Sequence, residues 1–380
     1  MMYFDQAATS LLKPPQVADA VYQAILHMGN TGRGSYDASL GAARIIYETR
    51  ELLADFFGAE EPEQVVFTAN ATMALNIMLQ GAFAPGDHII TTVCEHNSVL
   101  RPLYAQEAAA GIELSIIGCD QQGIIDYQAM EAAVSDHTRA IVCTHASNLT
   151  GNVTDLKRVA EICRKNGLLC MVDASQSAGT LPIDMKADGI DVLCFTGHKG
   201  LFGPQGTGGL CLRKGLTLRP LISGGSGVQT YHKEQPLEMP VHLEAGTLNG
   251  HGIAGLRAGL LYIQQTGLEQ IHQQQMRLCQ QFIRGVQDIS GIQLYGDLSA
   301  AERTAIVSLN IGEEDSAIVG DWLEHSCQMA VRTGGHCAPL LHEAMGTKAQ
   351  GMVRFSFSHF NTEQEIGAAI AALHRFADGE

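Results

Sequence analysis

The chain has 380 residues, 46% of them hydrophobic and 17% charged, with 40 acidic against 24 basic side chains and a formal charge of -16. That charge, with no basic cluster along the chain, repels phosphate backbones and anionic lipid, which makes nucleic acid and membrane surfaces poor partners. The length favours two domains, and no uncharged apolar run approaches the roughly 20 residues that cross a bilayer.

The opening, MMYFDQAATS, carries Asp5 and no basic stretch ahead of an apolar run, so it is not read as a secretory signal. A helix is expected over 15–28, packing back onto the C-terminal part. From about residue 65, short apolar runs alternate with amphipathic stretches. The runs are VVFT (65–68), HIITT (88–92), IELSIIG (112–118), AIVCTHAS (140–147), LLCMVD (168–173), VLCFT (192–196) and GGLCLR (208–213). Strands with little polar alternation, separated by helices, predict a mainly parallel sheet buried on both faces, a three-layer α/β sandwich. After Gly255 a long helix-like segment leads to strands near 304–311, 329–333 and 352–358 and helices near 316–326 and 362–377. The last helix opens with a capping-box signature, Thr362 to Glu365. The expected division is an N-terminal segment (1–30) packing on the small domain, a large domain (31–255) and a small α+β domain (256–380).

Ten cysteines occur without a C-x-x-C pair, several of them inside apolar runs. Nine read as buried thiols of a protein in a reducing cytoplasm, and Cys337 is the exception.

Ligands of open α/β sheets bind at the carboxyl ends of the strands. After VVFT come Asn70, Ala71 and Thr72 at a helix start, where free amides and a hydroxyl suit a phosphate, although an ordinary N-cap accounts for this segment more simply. After HIITT comes His96, either a cap-region histidine or an aromatic plate and proton carrier over a planar ligand. Asn148 follows AIVCTHAS. Asp173, with Gln176 after it, ends an apolar strand, where a carboxylate is expensive unless it meets a cation or caps a helix. Thr196, His198 and Lys199 follow VLCF. A lysine in a low-dielectric pocket becomes a nucleophilic amine, whereas one at a strand end can also snorkel to water. Together, phosphate site, plate, carboxylate and amine are the parts that hold pyridoxal phosphate: anchor, stack, electron-sink partner and aldehyde trap. GPQGTGG is not the G-x-G-x-x-G fingerprint and opens no helix, so its glycines serve a tight turn beside the lysine.

In order and spacing, FDQAAT (4–9), NTGRGSYDAS (30–39), EHNS, SNLTGN, VDASQSAG, FTGHKG, EAGTLN (244–249), RTGGHCA (332–338) and VRFSFSHFNTEQE (353–365) resemble the cysteine desulfurases. These include the related selenocysteine lyases, within the class V aminotransferase-like enzymes of fold type I. The resemblance covers nearly the whole chain. It implies that Lys199 bonds covalently to pyridoxal phosphate, Asp173 pairs with the ring nitrogen, Gln176 with the ring oxygen, and His96 stacks on the ring. It further implies that Ala71, Thr72, Thr196 and His198 hold the phosphate with Thr247 of a second subunit in a homodimer, and that Arg354, near Asn148, receives the substrate carboxylate. Cys337 matches the sulfur-accepting cysteine, in the short-loop subgroup. A thiolate beside His336 and a glycine pair also makes independent sense as an attacking group.

The activity implied is conversion of L-cysteine to L-alanine with sulfur passed as a persulfide to an acceptor protein or thiol, for iron-sulfur assembly or another pathway, with no metal in the site. Selenocysteine cleavage or another class V activity such as amino transfer is the alternative. A cofactor-free thiol hydrolase built on Cys337 and His336 is a rival from another class, and it leaves Lys199, Asp173 and Arg354 unexplained. Two departures from the family pattern stand out: Gln6 replaces an asparagine, and Asn70-Ala71 replaces a Gly-Thr pair, which removes one hydroxyl from the phosphate turn.

Overall fold

The computed structural model describes residues 1–30 and 36–379; part of the NTGRGSYDAS segment lies outside the described residues. The chain opens with a two-residue strand, β1 (Met2–Tyr3), and helices α1 (Pro15–His27) and α2 (Asp37–Phe57). There follow β2 (Val65–Thr68), α3 (Ala71–Ala82), β3 (His88–Thr92), α4 (Asn97–Ala110), β4 (Glu113–Ile117), α5 (Tyr127–Ala132) and β5 (Thr138–Thr144). Then come α6 (Leu156–Asn166), β6 (Leu169–Asp173), β7 (Val192–Thr196) and β8 (Gly208–Leu212).

These strands form one sheet in the order β2-β8-β7-β6-β5-β3-β4, parallel except for β8, which runs antiparallel to both its neighbours. β2, β3, β7 and β8 are buried at every position, which is why their sequences show no alternation. Side chains of α2, α6 and the later helix α7 cover one face, and those of α3 and α4 the other. The three-layer sandwich is thus the expected one. No helix among the described residues is long and apolar enough to cross a membrane.

The chain continues with α7 (Gly250–Thr266), α8 (Leu268–Val286), β9 (Ile292–Tyr295), β10 (Ile306–Ile311), α9 (Ser316–Cys327), β11 (Met329–Ala330) and β12 (Arg332–Gly334). It ends with α10 (Pro339–Ala344), β13 (Met352–Ser356) and α11 (Glu363–Ala377). A four-stranded antiparallel sheet, β12-β13-β10-β9, backs onto α8, α9 and α11 around Phe282, Val307, Phe355 and Leu373. The capping box of α11 is formed: the Glu365 amide donates to Thr362 Oγ1 (3.2 Å) and the Thr362 amide to Glu365 Oε2 (2.8 Å).

Two expectations about the ends of the domains change. Helix α1 lies along α7 rather than on the small sheet, so closely that a β-carbon on Gly255 would meet Val21 Cγ2 at 2.7 Å. Only the first residues join the small sheet's core, through β1 pairing with β11 and the buried Phe4. A boundary at 255/256 would also cut α7, whose Ile253, Leu256, Leu260 and Ile263 belong to the large core. The chain bends instead at Gly267, where φ is 90° and a side chain would be strained.

One buried ion pair ties the 244–249 loop to this frame. Arg50 of α2 meets Glu244 in two parallel hydrogen bonds (2.8 and 2.5 Å), Glu244 Oε1 also accepts from the Phe67 amide (2.6 Å), and the guanidinium donates to the Val65 carbonyl. The guanidinium carbon lies 4.6 Å from the centroid of the Phe67 ring. Removing one partner leaves a buried charge uncompensated, so Glu244→Ala should lower stability by about 3 kcal/mol in urea denaturation. A loss below about 1 kcal/mol would show that the pair is solvated.

Candidate active site

Because the sheet is largely parallel, the carboxyl ends of β2, β3, β5, β6 and β7 share one edge. There a cleft of ≈ 220 Å³ gathers Asn70, Ala71, Thr72, His96, Asn148, Asp173, Gln176, Thr196, His198 and Lys199 with Arg332 and Arg354 of the small sheet. A larger cavity of ≈ 320 Å³, among Gly58, Cys163, Lys186 and Arg213, lies where β6 and β7 begin, and its Arg213 is already paired with Asp191.

Asp173 ends β6 almost fully buried, its Oδ1 accepting from the Ser175 amide (2.9 Å) and hydroxyl (2.5 Å). Lys199 follows β7. Burial pulls its amine down to about 8, Arg354 and Arg332 push the same way, and Asp173 opposes them. His96 caps α4: its Nδ1 accepts from the Ser98 amide (3.0 Å), which leaves the ring proton on Nε2. Burial takes its pKa down to about 4, so the ring facing the cleft is neutral. Both readings of this histidine therefore hold, since it is a cap residue and it lines the cleft.

Behind the cleft is a group that the sequence did not single out. Glu95 is fully buried, with Oε1 accepting from Thr92 Oγ1 (2.6 Å) and the Thr144 amide (3.0 Å) and Oε2 unpartnered. Burial raises its pKa to about 8, with nearby Asp173 adding to the rise against the pull of the two hydrogen bonds. A protonated Glu95 leaves Asp173 as the charged member of the two carboxyls.

At the other end of the cleft, Asn70 Oδ1 caps α3 by accepting from Met73, and the first amides of the helix are left without intrahelical acceptors. Thr196 Oγ1 is buried here with no protein partner. His198 holds Thr9 Oγ1 through Nδ1 (3.0 Å), and burial lowers its pKa to about 4. Gln176 Nε2 donates to the Ala7 carbonyl (3.0 Å), so Gln176 enters the cleft anchored at that nitrogen.

The small sheet supplies the cations. Arg354, 1% exposed, gives Nη2 to Asp5 Oδ1 (2.7 Å) and Nη1 to the Asn148 carbonyl (2.9 Å), and its Nε is unpartnered. Arg332 stands beside it because β12 and β13 pair with 332 opposite 354. It was legible only as part of a motif, since its place depends on that register. Asn148 Nδ2 donates to the His336 carbonyl (2.7 Å).

Cys337 is exposed, on a turn where His336 and Cys337 both have left-handed backbone (φ 49° and 57°). The turn is docked by the Asn97 amide donating to the Cys337 carbonyl (2.8 Å), one residue from His96. His336 departs from expectation. It is buried, its Nε2 meets the Arg332 carbonyl (3.2 Å), its ring stacks on His342, and burial lowers its pKa to about 3. It is therefore not a cation that acidifies the thiol. Thr247 is exposed and lies outside this cleft, beside a second cavity with Thr68, Ala69 and Ile222.

The Aminotransferase class-V family profile matches residues 2–368. A probable cysteine desulfurase of Methanothermobacter thermautotrophicus is 34% identical over 371 residues, 96% of this chain and 92% of the relative. A cysteine desulfurase of Cronobacter sakazakii is 30% identical over 385 residues, covering 99% and 93%. Among solved structures, the apo cysteine desulfurase of Thermococcus onnurineus superposes with a TM-score of 0.94 at 32% identity, over 100% of this chain and 95% of that one. One from Escherichia coli gives 0.89 at 26% identity, over 99% and 94%.

The state of the Lys199 amine is directly measurable. Acylation of Lys199 in cofactor-free protein, followed by peptide mapping across pH, should titrate with a midpoint near 8, against about 10.4 for surface lysines. Asp173→Asn removes a charge that holds the proton, so it should move the midpoint lower. A midpoint near 10 in the unaltered protein would mean the amine is solvated.

Proposed function

We propose, from the premise that this chain belongs to the aminotransferase class-V family and to its cysteine desulfurases, that it is a pyridoxal-phosphate-dependent enzyme converting L-cysteine to L-alanine. The sulfur leaves as a persulfide on Cys337, for a protein or thiol acceptor in a reducing cytoplasm. The observation that carries this reading is the buried Lys199 amine, brought down to about 8 and facing Asp173 at the carboxyl edge of the sheet.

The cleft fits the cofactor. The unpartnered Thr196 hydroxyl, the first amides of α3, Thr72 and His198 suit a phosphate. Asp173 suits a protonated ring nitrogen, the neutral His96 suits the ring face, and the second amide proton of Gln176 suits a ring oxygen. When bound, the cofactor supplies an electron sink that acidifies the Cα–H of an amino acid. Thr247, exposed and outside the cleft of its own chain, supports a homodimer in which each copy completes the other's phosphate site.

The chain's own residues then divide the work. Arg354 and Arg332 orient the substrate carboxylate, Arg354 with its unpartnered Nε free to donate. Lys199 Nζ, with a pKa near the working pH, takes the Cα proton as a general base and returns it. Cys337 Sγ, as a thiolate, attacks the substrate sulfur, and its exposure leaves the resulting persulfide open to an acceptor. The inward-turned His336 leaves Cys337 without an imidazole base, which weighs against a thiol hydrolase.

Purified enzyme should be yellow and form alanine and sulfide in equal amounts from L-cysteine with a reductant. Lys199→Ala should lower the rate by roughly 10²–10⁴-fold. Cys337→Ala should bind the cofactor normally and yield no sulfide from cysteine. A yellow wild type that transfers its amino group to a keto acid without releasing sulfide would overturn this reading.

A further inference from the structure

Away from the cleft, two thiols meet at the edge of the large sheet. β3 and β4 pair in parallel from His88 opposite Glu113 to Thr92 opposite Ile117, and the Val93 amide carries the ladder on to the Ile117 carbonyl (2.9 Å). Two residues further, that register sets Cys94 beside Cys119, on the side of the sheet where Ile90 and Ile117 pack. Neighbouring strands lie about 4.8 Å apart, inside the Cα separation of roughly 4.4–6.8 Å that a disulfide accepts. The two sulfurs share a hydrogen bond that pushes the Cys94 thiol up and draws the Cys119 thiol down. Cys94 is buried, with its sulfur 3.8 Å from the Gly123 carbonyl, while Cys119 is partly open to solvent on the edge strand. The arrangement is asymmetric, an accessible and more acidic sulfur backed by a sheltered thiol. Cys163 and Cys170 also share a hydrogen bond, but both are buried.

We propose that Cys94 and Cys119 form a dithiol site that a hydroperoxide oxidises reversibly to a disulfide. The Cys119 thiolate attacks the peroxide O–O bond, becoming a sulfenic acid and releasing water or an alcohol. The Cys94 sulfur then displaces the hydroxyl, which leaves as water with the Cys94 proton, and the S–S bond closes. Two electrons pass from the two sulfurs to the O–O bond. Closing from hydrogen-bond separation to about 2.05 Å draws the turn after β3, which carries Glu95 and His96 into α4, toward β4. The site stands independently of the proposed desulfuration, because neither thiol lies in the reacting set.

The test uses full-length Cys337→Ala protein, so that the exposed thiol does not consume the oxidant, treated with near-stoichiometric hydrogen peroxide and mapped under non-reducing conditions. A Cys94–Cys119 cross-linked peptide is expected, reversed by dithiothreitol and absent from Cys119→Ser, with Cys163 and Cys170 still alkylatable after unfolding. In Cys94→Ala, alkylation of Cys119 at pH 7 should slow severalfold, because the hydrogen bond that favours its thiolate is gone. Cys119 oxidised to a sulfinic acid with Cys94 still a free thiol would overturn the proposal. So would both thiols remaining reduced at peroxide doses that oxidise Cys337 in the unaltered protein.

Discussion

Arg354 joins three parts of the molecule that are distant in sequence. It belongs to the small sheet, pairs with Asp5 of the N-terminal segment, and donates to the Asn148 carbonyl in the loop after β5 of the large sheet. A guanidinium this deeply buried costs several kcal/mol in lost hydration, and only excellent partners offset it. Those partners are in place only when the N-terminal segment, the small sheet and the large sheet have all closed on one another. The seam between the two cores and the shape of the cleft are thus a single constraint.

Within the cleft, burial decides which groups carry charge. His96, His198 and His336 are all held far below the ordinary histidine range, and Glu95 is held above the carboxylate range, each chiefly by desolvation. The remaining ions are the arginines and Asp173, with Lys199 poised between its two forms. Neutral imidazoles can contact a ring or a hydroxyl without competing with Asp173 for a cation. The side chains that look most titratable in the sequence are therefore the ones the fold keeps silent at neutral pH.

The large sheet was legible because strands buried on both faces must be apolar throughout, and the strand-end residues were legible because a parallel sheet delivers its carboxyl ends to one edge. Contacts set by pairing across long separations were not. Arg332 reaches the cleft through its register with Arg354, and Glu95 acquires its environment from the Thr144 amide on another strand. His336 misled for the opposite reason: it adjoins Cys337 in sequence, yet two successive left-handed residues turn its ring inward while the thiol stays outside. Helix α1 misled because its apolar positions fit α7 as readily as the small sheet, and only the bulk allowed by Gly255 chooses between them.

The turn that carries Cys337 has a mechanical consequence. Residues 335–338 are all that separate the end of β12 from the start of α10, and the backbone at 336 and 337 is already committed to left-handed geometry. A chain segment spans at most about 3.6 Å per residue, and this one is anchored at both ends and at the Asn97 amide, so the thiol has almost no tether on which to swing. In the proposed reaction the donor stays still. A recipient must therefore bring a protruding thiol to the turn, because a flat surface would be stopped by the surrounding protein before the two sulfurs touched.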